Sequence, residues 1–343
     1  MNGTHAGGSP SKPEMASSFA MPVKSRKNLM RFTVFVGLAA ALILPLSVSA
    51  KAQSGGEENL EAAVVEAMGV ESNTSARSFA EVKEQDRTQV NVMREGGEGG
   101  EWAFGAAVVE APKKRGHYPK GWLFVAEDTG GDWKVALEGP PEFSNLASEA
   151  PAEVVDEGEK GNFSEASRTS SAAAPLRTGL MLPWRKAAVW RFTGGPHGWN
   201  TGYDRPYAAL DFAGPNANDQ RVRAAGGGRI YTMCGNRRGW IRVYHPNGFT
   251  TDYYHLIQNI KPAQGSQIKV GAILGLTGND VSCGGASYGR HVHFALLRGT
   301  QYVPVNGRFI GGWKFVQGQA CRGYAERGQI RRPPGNLIRN FGP

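Results

Sequence analysis

The chain has 343 residues, enough for two domains, and a formal net charge of +9. Glycine accounts for 47 residues, close to twice its average share of ~7%, and this favours turn-rich β structure over helical bundles. Three cysteines exclude a miniprotein that is held together by disulfides.

The first fifty residues have the pattern of a signal peptide. Basic residues between positions 24 and 31 precede an uncharged apolar run at 32–46, and residues 48–50 are small enough for cleavage. A membrane anchor is the alternative, but the run is shorter than the ~20 residues of a typical span and contains Pro45. We therefore expect residues 1–50 to be a signal peptide with an extended basic start. The mature protein would be secreted, without a stable membrane span.

Charge divides the remaining chain into two halves. Residues 51–178 contain 13 Lys and Arg against 23 Asp and Glu, a net charge of −10, whereas residues 179–343 contain 21 against 6, a net charge of +15. Such asymmetry indicates two different tasks. The basic half is expected to be attracted to anionic polymers such as nucleic acid or a bacterial cell wall. The acidic half is expected to cover it as an inhibitory propeptide.

The acidic half begins with a small α+β domain, assigned to residues 51–148. Glutamates spaced among Ala, Val and Leu predict a helix over 57–71, and strands are predicted at 102–109, 121–126 and 132–137. Its only histidine, His117, lies in a turn, and the sequence shows no catalytic constellation here. The cluster Lys113-Lys114-Arg115 is interpreted as surface charge in preference to a cleavage site.

Residues 149–178 are rich in Ala, Ser, Glu and Pro, a composition that is typical of linkers. Exposed linkers are preferred sites of proteolysis. We therefore expect the propeptide to be removed by a cut between Ser164 and Leu182.

The basic half, residues 179–343, is predicted to be a mainly β, antiparallel domain of two-sheet or barrel-like type. Pro246-Asn247-Gly248 predicts a hairpin between two of its strands, and no helix of useful length is indicated. The predicted strands cover residues 188–192, 208–212, 229–234, 240–245, 249–256, 272–277 and 291–297.

Two histidines on the last of these strands indicate a metal site. Residues i and i+2 of a strand face the same side, so His291 and His293 would direct two imidazoles to one place. Asp211 lies between Leu210 and Phe212 on another apolar strand, where an unpaired carboxylate would be costly. Zinc binds such nitrogen and oxygen donors.

The other histidines and the glutamates limit the chemistry further. His197 lies in a glycine-flanked loop, and His245 precedes a turn, where we expect it to be solvated. Glu326 is the single glutamate after residue 178, and the sequence has no His-Glu-x-x-His motif. Proton transfer in a hydrolase built here would therefore fall to histidine, whose usual pKa of ~6.5 suits the task.

These motifs, in this order, resemble the M23 metallopeptidases of the lysostaphin and LytM type. Within them they resemble the subgroup of the staphylolytic LasA protease and beta-lytic metalloendopeptidase. The resemblance extends from about residue 180 to residue 325 and is carried by Leu182-Pro183-Trp184, His197 with Asp211 in Ala-Leu-Asp-Phe, Tyr254-His255-Leu256 and His291-Val292-His293-Phe294. The wide spacing of His197 and Asp211 is like that subgroup, and the rival ligand Asp204 lies in a polar turn.

The resemblance implies one bound zinc ion and a role for each matching residue. The implied zinc ligands are His197, Asp211 and His293, the implied catalytic residues are His255 and His291, and Tyr254 is a candidate to assist them. Cys234 and Cys283 match a disulfide of the subgroup, whereas Cys321 departs from it because no partner cysteine follows.

The expected function is a secreted zinc endopeptidase, made as a latent proenzyme, that cuts next to glycine in bacterial peptidoglycan cross-links or glycine-rich proteins. One alternative is a non-catalytic peptidoglycan-binding module on the same fold. Such modules lose ligands, whereas here all five ligand and catalytic positions are filled. A nucleic-acid binder is the other alternative, but it depends on charge alone and lacks a recognised motif. We therefore expect no nucleic-acid partner.

Overall fold

The computed structural model describes residues 59–69, 87–215, 219–319 and 321–343. All of them fall within the unit Ser49–Pro343. The predicted signal peptide and its cleavage residues lie outside the described residues. Within the described ranges, no helix is long and apolar enough to cross a membrane.

The acidic half contains one antiparallel sheet with helices on both faces. Its elements are α1 (59–69), β1 (Thr88–Gly96), β2 (Trp102–Val109), β3 (Lys120–Asp128), β4 (Trp133–Leu137), α2 (Pro141–Glu149) and α3 (Glu157–Ser170), with the strands in the order β1-β2-β3-β4. Alternation along β2 places Ala103 and Ala107 against α1, and Phe104 and Val108 on the opposite face. The predicted helix and the three predicted strands are present. The structure also contains β1 and α2, which the sequence did not predict.

Helix α3 corrects the predicted linker. Asp156 accepts a hydrogen bond from the Glu159 amide, and the Glu159 side chain accepts one from the Asp156 amide, so the helix starts with a capping box. Phe163 and Ala166 on this helix are buried in a core shared with the sheet. The linker-like composition hid the helix, because small residues and a single aromatic form its apolar face. Most of residues 171–177 are exposed, which narrows the linker to this stretch.

The basic half is built from short antiparallel strands, and none of its described residues is helical. Its strands are β5 (Val189–His197), β6 (Ala209–Ala213), β7 (Arg221–Arg223), β8 (Gly228–Thr232), β9 (Gly239–Tyr244), β10 (Phe249–Leu256), β11 (Gln267–Ile268), β12 (Ile273–Leu276), β13 (Val292–Arg298), β14 (Gln301–Tyr302), β15 (Phe309–Ile310), β16 (Trp313–Val316), β17 (Tyr324–Arg327), β18 (Ile330–Arg332) and β19 (Leu337–Arg339). The main sheet has the order β11-β8-β9-β10-β13-β6-β5-β19, with β14 beside β13. A second sheet contains β15 to β18, and β7 pairs with β12. The predicted mainly β, antiparallel fold class is confirmed.

The two faces of the main sheet are buried against different partners. Ile241 and Val243 of β9 face a core made within the basic half. Trp240 and Tyr244 of the same strand lie in a second core, which includes Phe163 of the acidic half. The acidic half therefore covers one face of the main sheet.

Ion pairs join the two halves at this covered face. Arg242 is buried between Glu138 of the acidic half, at 2.7 Å, and Asp252 of its own half, at 2.8 Å. Arg229 lies 2.7 Å from Asp156 at the start of α3. Removing Glu138 alone would leave the Arg242 guanidinium buried with one carboxylate partner fewer, at a cost of ~3–5 kcal/mol.

Candidate active site

Three neighbouring strands bring the predicted zinc ligands together. In the register of the main sheet, His293 on β13 lies opposite Asp211 on β6, and Ala209 on β6 lies opposite His197 at the end of β5. Asp211 Oδ1 is 2.9 Å from His293 Nδ1, and Asp211 Oδ2 is 3.0 Å from His197 Nε2. One donor atom from each residue lies within 4.8 Å of the other two, and no second such cluster occurs among the described residues.

A glycine makes room for the carboxylate of this cluster. Gly194 pairs with Asp211 across the strands, and a Cβ atom at Gly194 would stand 2.7 Å from Asp211 Oδ2. A side chain at this position would displace the carboxylate. The position of the Asp211 carboxylate therefore requires glycine at residue 194.

The three donors suit zinc. Two imidazole nitrogens and one carboxylate oxygen are ligands typical of zinc sites that keep a fourth position open. His197 Nδ1 is 2.9 Å from the carbonyl oxygen of Gly198, which can only accept a hydrogen bond. The proton of a neutral His197 is therefore on Nδ1, and the lone pair of Nε2 faces Asp211. The residues present fit the metal that the resemblance implies.

Burial and mutual pairing set the charges of the cluster. Burial alone would raise the pKa of Asp211, but the facing His197 and hydrogen bonds from both rings hold it well below its ordinary value. Burial lowers the pKa of His293 to about 4, against the opposing effect of Asp211. For His197, Asp211 outweighs burial and raises the pKa. An ionised Asp211 beside a neutral His293 is the state in which both bind a cation.

His255 adds a free ring nitrogen at the end of β10. Its φ is 68°, and the register between β9 and β10 shifts just before it. Its Nδ1 is 2.9 Å from the carbonyl oxygen of Asp280, whereas its Nε2 is buried and has no hydrogen-bond partner in the described part of the chain. Burial, together with His291 and His293, lowers its pKa well below 6.5. His255 is therefore a neutral imidazole with an available lone pair.

His291 approaches the cluster just before β13. Its Nδ1 is 2.8 Å from the carbonyl oxygen of Gly289, and its Nε2 is 3.8 Å from Asp211 Oδ1. The ring centroids of His255 and His291 are 4.8 Å apart. In both histidines a backbone carbonyl orients Nδ1 and leaves Nε2 for proton transfer.

Tyr254 and the disulfide support the loop beside these histidines. The Tyr254 hydroxyl donates a hydrogen bond of 2.7 Å to the carbonyl oxygen of Gly284, and its ring centroid is 4.4 Å from that of His255. Cys234 and Cys283 form a disulfide, which fixes the residue before Gly284. Cys321 is a free, exposed thiol.

Tyr118 of the acidic half packs directly on the cluster, a contact that the sequence does not reveal. Its ring is parallel to that of His293, with centroids 3.8 Å apart, and its centroid is 5.8 Å from that of His255. Only 7% of Tyr118 is exposed. The only local signal is an aromatic residue in a turn between Gly116 and Pro119, which does not identify its partner.

The residues around Tyr118, 111–119, which we name the covering segment, hold both sides of the site by backbone contacts. Ala111 donates to the carbonyl oxygen of Cys283 at 3.1 Å and accepts from the amide of Gly285 at 3.0 Å. On the other side, Tyr118 donates to the carbonyl oxygen of Asn200 at 3.0 Å. On the same side, the amide of Gly202 donates to the carbonyl oxygen of Gly116 at 2.9 Å, and Trp199 Nε1 donates to that of Pro119 at 2.8 Å.

The two other residues weighed from the sequence lie apart from the cluster. The prediction of a solvated His245 is wrong: it is buried, with Nδ1 2.9 Å from the carbonyl oxygen of Gly227 and Nε2 2.8 Å from Thr251 Oγ1. Burial lowers the pKa of His245 to about 4, so it is a neutral structural residue at neutral pH. Asp204 lies in a turn, where its amide donates to Thr201 Oγ1 at 3.2 Å.

Comparisons with known proteins agree with this geometry. Residues 205–306 match the model of peptidase family M23. Protease LasA of Pseudomonas aeruginosa (strain UCBPP-PA14) is 30% identical over 172 residues, which are 46% of this chain and 39% of LasA. Beta-lytic metalloendopeptidase of Lysobacter enzymogenes is 29% identical over 148 residues, which are 40% of this chain and 79% of that protein.

A solved structure and the lengths of the matches complete the comparison. The M23 metalloprotease pseudoalterin, from the deep sea, is 32% identical, and the match covers 47% of this chain and 97% of that chain with a TM-score of 0.40. The match spans well under half the length of LasA, at 39%. The chain belongs to peptidase family M23 and is related to LasA and to beta-lytic metalloendopeptidase.

Proposed function

We propose that this protein is a secreted zinc endopeptidase that is made as a latent proenzyme and cuts peptide bonds next to glycine. The observation that carries the proposal is the convergence of His197, Asp211 and His293, with the ring of His291 3.8 Å from Asp211. His255 adds a free Nε2 beside His291. These five residues provide a ligand set and two proton-transfer groups, as a zinc peptidase requires.

The roles of the residues follow from their hydrogen bonds. Bound zinc would supply a Lewis acid that polarises the scissile carbonyl and lowers the pKa of water. His197, Asp211 and His293 would hold it. His255 and His291 share the transfer of the water's proton and the stabilisation of the oxyanion or protonation of the leaving amine. Tyr254 holds the Gly284 loop and packs against His255, so it assists by positioning.

The proposed substrates are peptidoglycan cross-links or glycine-rich proteins, which are the substrates that the resemblance to the LasA and beta-lytic subgroup implies. A Cβ atom at Gly284 would stand 2.3 Å from the carbonyl oxygen of Ala111, and one at Gly285 would stand 2.4 Å from that of His117. Peptide backbone therefore already lies against these glycines. Side chains at Gly284 and Gly285 would push this backbone away, so the two glycines keep room for a peptide beside the site.

We expect the processed protein to cut pentaglycine and to leave pentaalanine intact. The resemblance implies cleavage next to glycine, and glycine adopts backbone conformations that are closed to alanine. Mass spectrometry of the products measures this. Equal cleavage of the two peptides, or lysis of whole cells without cleavage of either, would contradict the glycine preference.

Latency is proposed because Tyr118 and the covering segment lie where a substrate has to enter. We expect Tyr118→Ala to raise the peptidase activity of the unprocessed chain several-fold, since stacked aromatic pairs contribute about 0.5–1.5 kcal/mol beyond their burial. Tyr203→Ala is the matched control, because Tyr203 is 82% exposed. Initial rates on a glycine peptide measure both variants. An unprocessed wild type that is as active as the processed protein would contradict latency.

A further inference from the structure

The middle of the covering segment is exposed, although both of its ends are buried. Ala111 is 3% exposed and Tyr118 is 7% exposed, whereas Lys113, Lys114 and Arg115 between them are all exposed. Three consecutive basic residues thus project from the peptide that crosses the site. The sequence alone does not reveal that these three basic residues lie in the segment that covers the site.

We propose that Lys113–Arg115 is the activation site of the proenzyme, cut by an endopeptidase that is selective for lysine or arginine. The inference extends the latency proposed above and depends on it. The cut is a hydrolysis: water adds across one peptide bond of the cluster, leaving a new carboxylate on the basic residue and a new amino group on the residue that follows. The step needs no other reactant.

The local structure presents these residues to a protease. Within the exposed turn, the amide of Lys114 donates to the carbonyl of Pro112 at 2.6 Å and the amide of His117 to the carbonyl of Lys114 at 3.2 Å. His117 Nδ1 lies 3.2 Å from the carbonyl oxygen of Arg115. Arg115 lies over the exposed ring of Tyr288, with its guanidinium carbon 5.6 Å from the ring centroid. These contacts are local to the turn, and a protease that extends the turn disturbs them first.

A cut at 171–177 leaves the covering segment in place. The acidic half shares a buried core with the main sheet through Phe163 of α3. It is also held by Arg242 with Glu138 and by Arg229 with Asp156, each at 2.7 Å. The acidic-half residues in these contacts all lie before the linker and the contacts remain after it is cut, so the acidic half stays bound as an inhibitor.

A cut within the basic cluster acts on the site itself. Before the cut, Ala111 and Tyr118 belong to one continuous segment. While one of them is bound to the site, it holds the other close to the groups that it contacts. After the cut, Gly116 and Tyr118 belong to one free end and Ala111 to the other, so each end is released from the site independently. Substrate then gains access to the backbone groups of Asn200 and Gly202.

Limited trypsin digestion of the full chain tests the proposal, because trypsin also cuts after the exposed Arg177. The test variant is Lys113→Ala/Lys114→Ala/Arg115→Ala. The control is Arg185→Ala/Lys186→Ala, which removes exposed basic residues elsewhere. Fragment masses locate the cuts, hydrogen exchange reports the Gly202 and Gly285 amides, and a glycine peptide reports activity.

Wild type and control are expected to be cut first at 113–115, with exchange at both amides and peptidase activity rising at least about tenfold. The triple variant is expected to be cut at Arg177 and to stay protected and latent. The proposal is overturned if this variant opens and activates like wild type, or if a cut at 113–115 leaves both amides protected. Amides that open without activity in any form would instead contradict the proposed peptidase function and leave the activation site standing.

Discussion

His293→Ala is expected to lose the metal and the peptidase activity together. His293 Nδ1 faces Asp211 Oδ1 at 2.9 Å, so the variant removes one of only three protein ligands. It leaves two protein ligands where a catalytic zinc site needs three. Zinc content by mass spectrometry and initial rates on a glycine peptide, both on processed protein, measure the effect.

A control for His293→Ala separates metal loss from loss of fold. His245→Gln also alters a buried histidine, but one that lies apart from the cluster. We expect this variant to keep one zinc per folded molecule and its turnover, although it loses stability. A His293→Ala protein that retains stoichiometric zinc would remove this residue from the ligand set.

His255→Ala is expected to keep the metal and to lose turnover by about 10²–10⁴-fold, the usual contribution of a proton-transfer residue. His255 is outside the three-donor cluster, and its hydrogen bond runs to the carbonyl oxygen of Asp280. The loss is expected in kcat with little change in KM, since the residue acts on the transition state. The same zinc and rate measurements apply, and a zinc-free His255→Ala would show that His255 is a ligand.

Period-two alternation and apolar context pointed to His291, His293 and Asp211, whereas the roles of His197 and His255 came from the resemblance to the M23 family. His291 and His293, two positions apart, both approach Asp211 Oδ1, at 3.8 and 2.9 Å. Asp211 lies on an apolar strand and is compensated by histidines, as the cost of a buried carboxylate requires. The zinc role of these residues stays a prediction until the metal is observed.

The individual contacts between the two halves could not be predicted from the sequence, because they depend on tertiary packing. Tyr118 is an ordinary turn residue until the fold places its ring against His293. The position of His245 before a turn predicts a solvated side chain, yet its ring packs so closely that a Cβ atom at Gly226 would stand 2.8 Å from its Nδ1. Helix α3 shows only the Asp156–Glu159 capping signal, which a linker-like composition outweighed.

Zinc-edge anomalous diffraction from crystals of the processed protein tests the central claim most directly. We predict one zinc peak per molecule, bonded to His197 Nε2, an oxygen of Asp211 and His293 Nδ1 at about 2.0–2.2 Å. The same maps should show His255 and His291 near the metal but unbonded. A peak bonded to His255 or His291, or no peak among the three predicted ligands, would contradict the account.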